Sequence, residues 1–293
     1  MFTLSEASML ILQDRLTRLT LAPEIGGSLA GWQVLDSGRP LLRPASADDL
    51  ASGSPRRLAC YPLAPWSNRI DRGGFANPGG WLALAPNSPG EPCPIHGSAW
   101  QQPWTVAERE AQRVRLVLDS ASPFPYRAEQ RIGLDEGRLD LELEVRHLGD
   151  TPAWYGLGLH PYLPRTQATR LQALASGVWH EDGRRLPERF IDLPAEWDFS
   201  EPRTLPQVTV DHAFDGWDGR CRILQTDAGY ALECRAEGAG LFLLYTPQER
   251  DFFCFEPVSH PINAHHLPGR PGLRLLEPGQ RLRLGWSMHY RPW

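Results

Sequence analysis

The chain has 293 residues, 41% of them apolar and 22% charged, proportions typical of a globular protein long enough to bury a sizeable core. Its net charge is -5 and all 30 basic residues are Arg, scattered among 35 acids, which argues against nucleic acid as a partner. Five cysteines form an odd, widely spaced set without a Cys-x-x-Cys pair, which speaks against a disulfide framework or structural zinc and fits a reducing cytoplasm.

Along the chain, residues 1–15 lack a basic leader pattern and hold one short apolar run, Met9-Leu10-Ile11-Leu12. No stretch approaches 18 apolar residues, so neither export nor a membrane span is expected. With 28 Pro and 27 Gly the sequence turns often, which favours strands over long helices. Residues 113–118 and 130–134 alternate polar and apolar side chains. Arg138-Leu139-Asp140-Leu141-Glu142-Leu143-Glu144-Val145-Arg146 does so without a break, as a half-buried antiparallel strand must. Leu241-Phe242-Leu243-Leu244-Tyr245 and Phe252-Phe253-Cys254-Phe255 are short, aromatic runs bounded by Gly, Pro or charge, the pattern of strands buried on both faces. Residues 281–286 alternate again.

Turn signals separate these runs, among them Asp135-Glu136-Gly137, Asp182-Gly183 and Asp227-Ala228-Gly229. Two segments, 68–96 and 197–211, are rich in Pro, Gly, Asn and Asp and are expected to be long loops carrying binding residues. The pattern predicts an all-β protein, a large antiparallel β-sandwich with few short helices. Neither a repeat nor a linker marks a boundary, so one domain over residues 1–293 is expected.

Three places set ionisable groups inside apolar, strand-like contexts, where an unpaired charge is costly. They are Pro65-Trp66-Ser67-Asn68-Arg69-Ile70 with Pro94-Ile95-His96-Gly97, Trp154 to Tyr162 around His160, and Phe255-Glu256-Pro257-Val258-Ser259-His260. Each has an ordinary structural reading as well: a buried His bonded to a carbonyl, a strand-end ion pair, or, for Asp211, an Asx turn. His265-His266 beside Asn263 is not expected to bind metal, because neighbours on an extended chain face opposite ways.

The order of the motifs adds what no single one carries. Gly26-Gly27, then Asn68-Arg69, His96-Gly97, His160-Pro161-Tyr162, Asp211-His212-x-Phe214 and Glu256-Pro257 follow the order seen in the aldose 1-epimerase family, which the chain resembles from about residue 15 to its end. The resemblance implies a galactose mutarotase-like supersandwich that interconverts the α and β anomers of an aldohexose. It implies that His160 is the general acid, Glu256 the general base, and Arg69, His96 and Asp211 ligands of sugar hydroxyls. No cofactor or metal, and a monomer or homodimer, are expected with it. Acid and base suffice chemically, since the reaction takes a proton from the C1 hydroxyl and gives one to the ring oxygen. At its ordinary pKa a Glu is ionised at neutral pH, and a His beside a carboxylate can hold a proton. Trp66 and Tyr162 are candidates to stack on the sugar ring. Two alternatives stand beside this reading. One is a hexose-6-phosphate mutarotase, with Arg56, Arg57 and Arg72 as phosphate candidates, and the other is a carbohydrate-binding module of the same fold without catalysis.

Overall fold

The computed structural model describes residues 9–181 and 183–293, so the start of the 1–15 segment and Asp182 of one turn signal lie outside the described residues. Strand predominates, with a single five-residue α-helix, Ala47–Ala51, and short 3-10 turns among the described elements. Two large antiparallel sheets face each other. The nine-stranded sheet has Arg281–Pro292, Arg138–His147, Tyr126–Asp135 and Arg113–Ser120 as consecutive strands. The eleven-stranded sheet places Cys60–Leu63, Gly158–Pro164, Phe252–Val258, Leu241–Tyr245 and Asp211–Asp215 side by side at its middle.

The alternation read from residues 138–146 explains the first sheet. Leu139, Leu141, Leu143 and Val145 point into the sandwich, and Asp140, Glu142 and Glu144 point out. Burying each such aliphatic side chain contributes roughly 1.5–3 kcal/mol, so the pattern fixes which face turns inward. The aromatic run 252–255 behaves differently because its sheet is covered on both sides. Phe253 and Phe255 join the inter-sheet core with Trp32 and Trp286, while Cys254 and Val258 join a second apolar cluster with Tyr61, Tyr162 and Ala213 on the opposite face. A period of two therefore puts Tyr61, His160, Tyr162, Asp211, Cys254 and Glu256 on one face of five adjacent strands.

The loops expected at 68–96 and 197–211 are partly structured. The first contains a hairpin, Gly74–Asn77 paired with Gly80–Ala83, and the second the short strand Arg203–Thr204. Trp81 and its neighbours in the hairpin are largely exposed, so no buried alternation betrays them. Asp211 opens a strand and makes no Asx turn. Among the described residues no helix is long and apolar enough to cross a membrane.

Candidate active site

His160 and Glu256 come from neighbouring strands. The register runs from Gly158↔Val258 to Tyr162↔Cys254, which sets the two side chains opposite each other. Nε2 of His160 lies 3.3 Å from Oε1 of Glu256, and both residues are buried. The imidazole packs against two tyrosines that also touch each other: its ring centroid lies 4.6 Å from Tyr61 and 4.8 Å from Tyr162, and the two tyrosine centroids are 6.3 Å apart. Arg43 caps this stack 3.7 Å from the Tyr162 centroid, fastened by hydrogen bonds from Nη2 to the carbonyls of Arg56 and Leu58. Packed against this aromatic cluster, the ring has little freedom to leave the carboxyl group.

The loop residues arrive by a different route. Residues 64–70 and 94–97 run together as isolated bridges, Arg69 opposite Ile95 and Ala64 beside Gly97, and the Asn87 side chain pins the second segment at the Ile95 N–H and carbonyl. Asn68 and His96 both adopt left-handed backbone, φ 58° and 63°, which turns the chain sharply at each. The Asn68 N–H donates to Nδ1 of His96 at 3.0 Å. A neutral His96 then carries its proton on Nε2, and burial does push its pKa well below the ordinary value, with His160 adding to the effect. At the base of the turn, Gly26 at φ 65° abuts the Trp100 carbonyl so closely that a Cβ would fall 1.9 Å from the oxygen, so only glycine fits.

Arg69 is buried and reaches Glu91, with Nε to Oε1 and Nη2 to Oε2 both at 3.0 Å, a two-pronged charge-assisted pair. Its Nη1 lies 3.7 Å from Oδ2 of Asp211. Burial by itself would lower the Arg69 pKa, but the Glu91 hydrogen bond and the charges of Asp211 and Glu91 raise it, so the cation is secure. The five residues singled out in the sequence form two contact groups: Arg69 with Asp211, and His160 with both Glu256 and, edge-on at 5.4 Å, His96. Tyr61, Trp100, Arg43 and Glu91 escaped the sequence reading. Glu91 lies in a Pro- and Gly-rich stretch with no local pattern, whereas Tyr61 alternates with Leu63 on a short buried strand.

Two expectations are corrected. Trp66 cannot stack on a ligand, because it is buried against Phe75 and His265, and Tyr162 is itself buried, packed against His160 and under the Arg43 guanidinium. The proton positions are also reversed in the free site. Burial pushes His160 down to about 3, helped by Arg56 and Arg43, and pushes Glu256 well above the usual carboxylate range, reinforced by Asp211. Both shifts run in the same sense, favouring an uncharged imidazole beside a protonated carboxyl over the ion pair. Oε2 of Glu256 is buried without a hydrogen-bond partner among the described residues.

The donor atoms of His160, Cys254 and Glu256 lie within 4.8 Å of one another, a spacing that a metal ion could bridge. Burial holds the Cys254 thiol well above its ordinary pKa, which keeps it protonated and a poor ligand. Clefts of about 680 Å³ on the nine-stranded sheet and about 480 Å³ beside Trp81 and His266 include neither member of the pair, so its chemistry and not cavity size marks this site.

The chain belongs to the aldose 1-epimerase family, whose model matches residues 10–289. An uncharacterized Escherichia coli (strain K12) protein, YphB, is 33% identical over 278 residues, covering 89% of this chain and 93% of that protein. The solved structure of a proposed aldose 1-epimerase from Escherichia coli K12 superposes with a TM-score of 0.90 at 31% identity, covering 97% of this chain and 100% of the other. Galactose 1-epimerase from Lactobacillus acidophilus NCFM shares the fold, with a TM-score of 0.77 at 17% identity over 96% of this chain and 93% of its own.

Proposed function

We propose that this protein is an active aldose 1-epimerase, in which His160 and Glu256 open and reclose the ring of an aldose. The observation that carries the reading is the 3.3 Å contact between a buried imidazole and a buried carboxyl, neither of which makes another ion pair among the described residues. A strongly perturbed acid–base pair on a buried face is what proton transfer demands and what a structural ion pair avoids.

In the ring-opening step the Glu256 carboxylate takes the proton of the C1 hydroxyl while the His160 imidazolium protonates the ring oxygen, and the C1–O5 bond breaks. The result is an open-chain aldehyde facing protonated Glu256 and neutral His160. Rotation about C1–C2 presents the other face of the carbonyl. Glu256 then returns a proton to O1, His160 takes the O5 proton, and the ring recloses as the opposite anomer. The uncharged form that burial favours in the free site is the proton state of the open-chain stage. Binding of the cyclic sugar brings hydroxyl dipoles against the pair and so supports its charged form. The Nε2–H of His96, the guanidinium of Arg69 and the Asp211 carboxyl serve as hydroxyl ligands.

Polarimetry of freshly dissolved α-glucose and α-galactose tests the reading. Acceleration above the spontaneous rate is expected for at least one aldose. A rate no faster than spontaneous across a panel of aldoses and their phosphates would instead support a binding module.

A further inference from the structure

Three arginines stood out in the sequence as possible anion ligands, and the fold separates them. Arg57 is exposed and lies 3.7 Å from Asp49. Arg72 lines the cleft beside Trp81 and His266. Arg56, on the turn Pro55–Arg57, comes to the candidate site: its Cζ sits 5.5 Å from the Trp100 ring centroid, Trp100 stacks on Tyr61 at 5.4 Å, and Tyr61 stacks on His160. No carboxylate among the described residues pairs with Arg56, and its Nε is buried without a hydrogen-bond partner.

The surrounding charges sharpen this. Glu91 and Asp211 are engaged by Arg69. Arg43 is fixed by the carbonyls of Arg56 and Leu58 and so holds the Arg56 turn in place. Among the described residues Arg56 is thus left as a half-buried cation that lies over Trp100 and feels Glu256 only at a distance, with no ion pair of its own, an arrangement that an anion in the bound state would complete.

The order of the strands indicates where on the sugar that anion sits. Gly158–Pro164 lies between Phe252–Val258 on one side and Cys60–Leu63 on the other. A ring oxygen over His160 with C1 towards Glu256 sends C5 and its C6 substituent the opposite way, towards Tyr61, Trp100 and Arg56. We infer that Arg56 recognises an anionic group at C6, so that the substrate is an acidic aldose, a hexuronate or a hexose 6-phosphate. This rests on the ring-opening reading for the orientation of the sugar.

Calorimetric binding tests it without turnover. The probes are 1,5-anhydroglucitol, which lacks the anomeric hydroxyl and cannot open, its 6-phosphate, and the corresponding C6 carboxylate, each titrated into the wild-type chain and into Arg56→Gln and Arg57→Gln. At least one acid is expected to bind about 10- to 100-fold more tightly than the neutral compound, the worth of a charged hydrogen-bonded pair. Which acid binds more tightly identifies the group. The advantage should collapse in Arg56→Gln and persist in Arg57→Gln. The inference is overturned if neither acid outbinds the neutral compound, or if the advantage survives Arg56→Gln. An advantage dependent on Arg56, with no acceleration of anomer exchange for any aldose or acid, supports the anion site and removes the ring-opening reading.

Discussion

Glu144 and Glu256 are the same residue type and show almost as little surface, 4% and 2% exposed, one beneath surface arginines and one inside the molecule, and their pKa values move in opposite directions. Glu144 faces outward on the nine-stranded sheet, where Nη1 of Arg281 at 2.9 Å and Nε and Nη2 of Arg283 at 3.1 and 2.6 Å bind both of its oxygens. Burial would raise its pKa, but those two cations outweigh the effect and hold it below the usual carboxylate range. Glu256 faces an imidazole that is itself discharged, keeps one oxygen without a partner, and rises instead. The outer face uses its carboxylates as fixed ions in a ladder of Arg pairs running on through Glu142, Arg131 and Glu129. The inner face leaves its acid able to change charge, which a catalyst needs and a scaffold does not.

Substitutions at the two positions should separate them most widely. Glu256→Gln and His160→Asn are each expected to lower the anomer-exchange rate by about 10²- to 10⁴-fold, the usual worth of one general acid or base, with the fold retained by circular dichroism. Glu144→Gln should leave the rate unchanged. Equal losses at Glu144 and Glu256 would erase the distinction between the faces. Arg69→Ala comes next. It should raise KM about 10- to 100-fold with a smaller change in kcat, because it removes a binding cation and strands the buried carboxyls of Glu91 and Asp211.

The pH profile of kcat/KM probes the free site directly. With His160 held at about 3 and Glu256 raised, the pair keeps its single proton across the interval between them. Activity should fall on the acid side only near pH 3, where a second proton removes the base. On the alkaline side it should fall as the raised Glu256 carboxyl loses the proton the acid needs. An acid-limb inflexion near 6.5 would mean that His160 titrates as an ordinary imidazole. The smallest effect belongs to the outer face: Arg283 is more than half exposed, and Arg283→Ala should reduce stability in urea unfolding by less than about 1 kcal/mol, with no kinetic change.

The two faces also differed in how far the sequence disclosed them. Residues 138–146 announced their strand and its inward leucines because one side meets water and the other the core, and such a boundary writes itself as a period of two. The strands under the site are covered on both sides, so residues 252–255 showed where a strand lies but not that Cys254 and Phe255 face different clusters. His160 and Glu256 could be paired from the order of motifs. Their proton positions could not, because the shift arises from burial by residues distant in sequence, among them Tyr61, Arg56 and Arg43. Glu91 was hidden for the same reason, since its role exists only where the 87–97 loop meets Arg69.

The central claim is that the ring opens between C1 and O5 while the C1–O1 bond stays intact, and an oxygen label tests it most directly. α-Glucose, or the acidic aldose that proves the better substrate, carries ¹⁸O at C1 and is followed by NMR through enzyme-catalysed anomer exchange. The account predicts accelerated conversion in which the β anomer keeps the label, and loss of that acceleration in Glu256→Gln. Replacement of the label by solvent oxygen at each turnover, or undiminished exchange in Glu256→Gln, would contradict it.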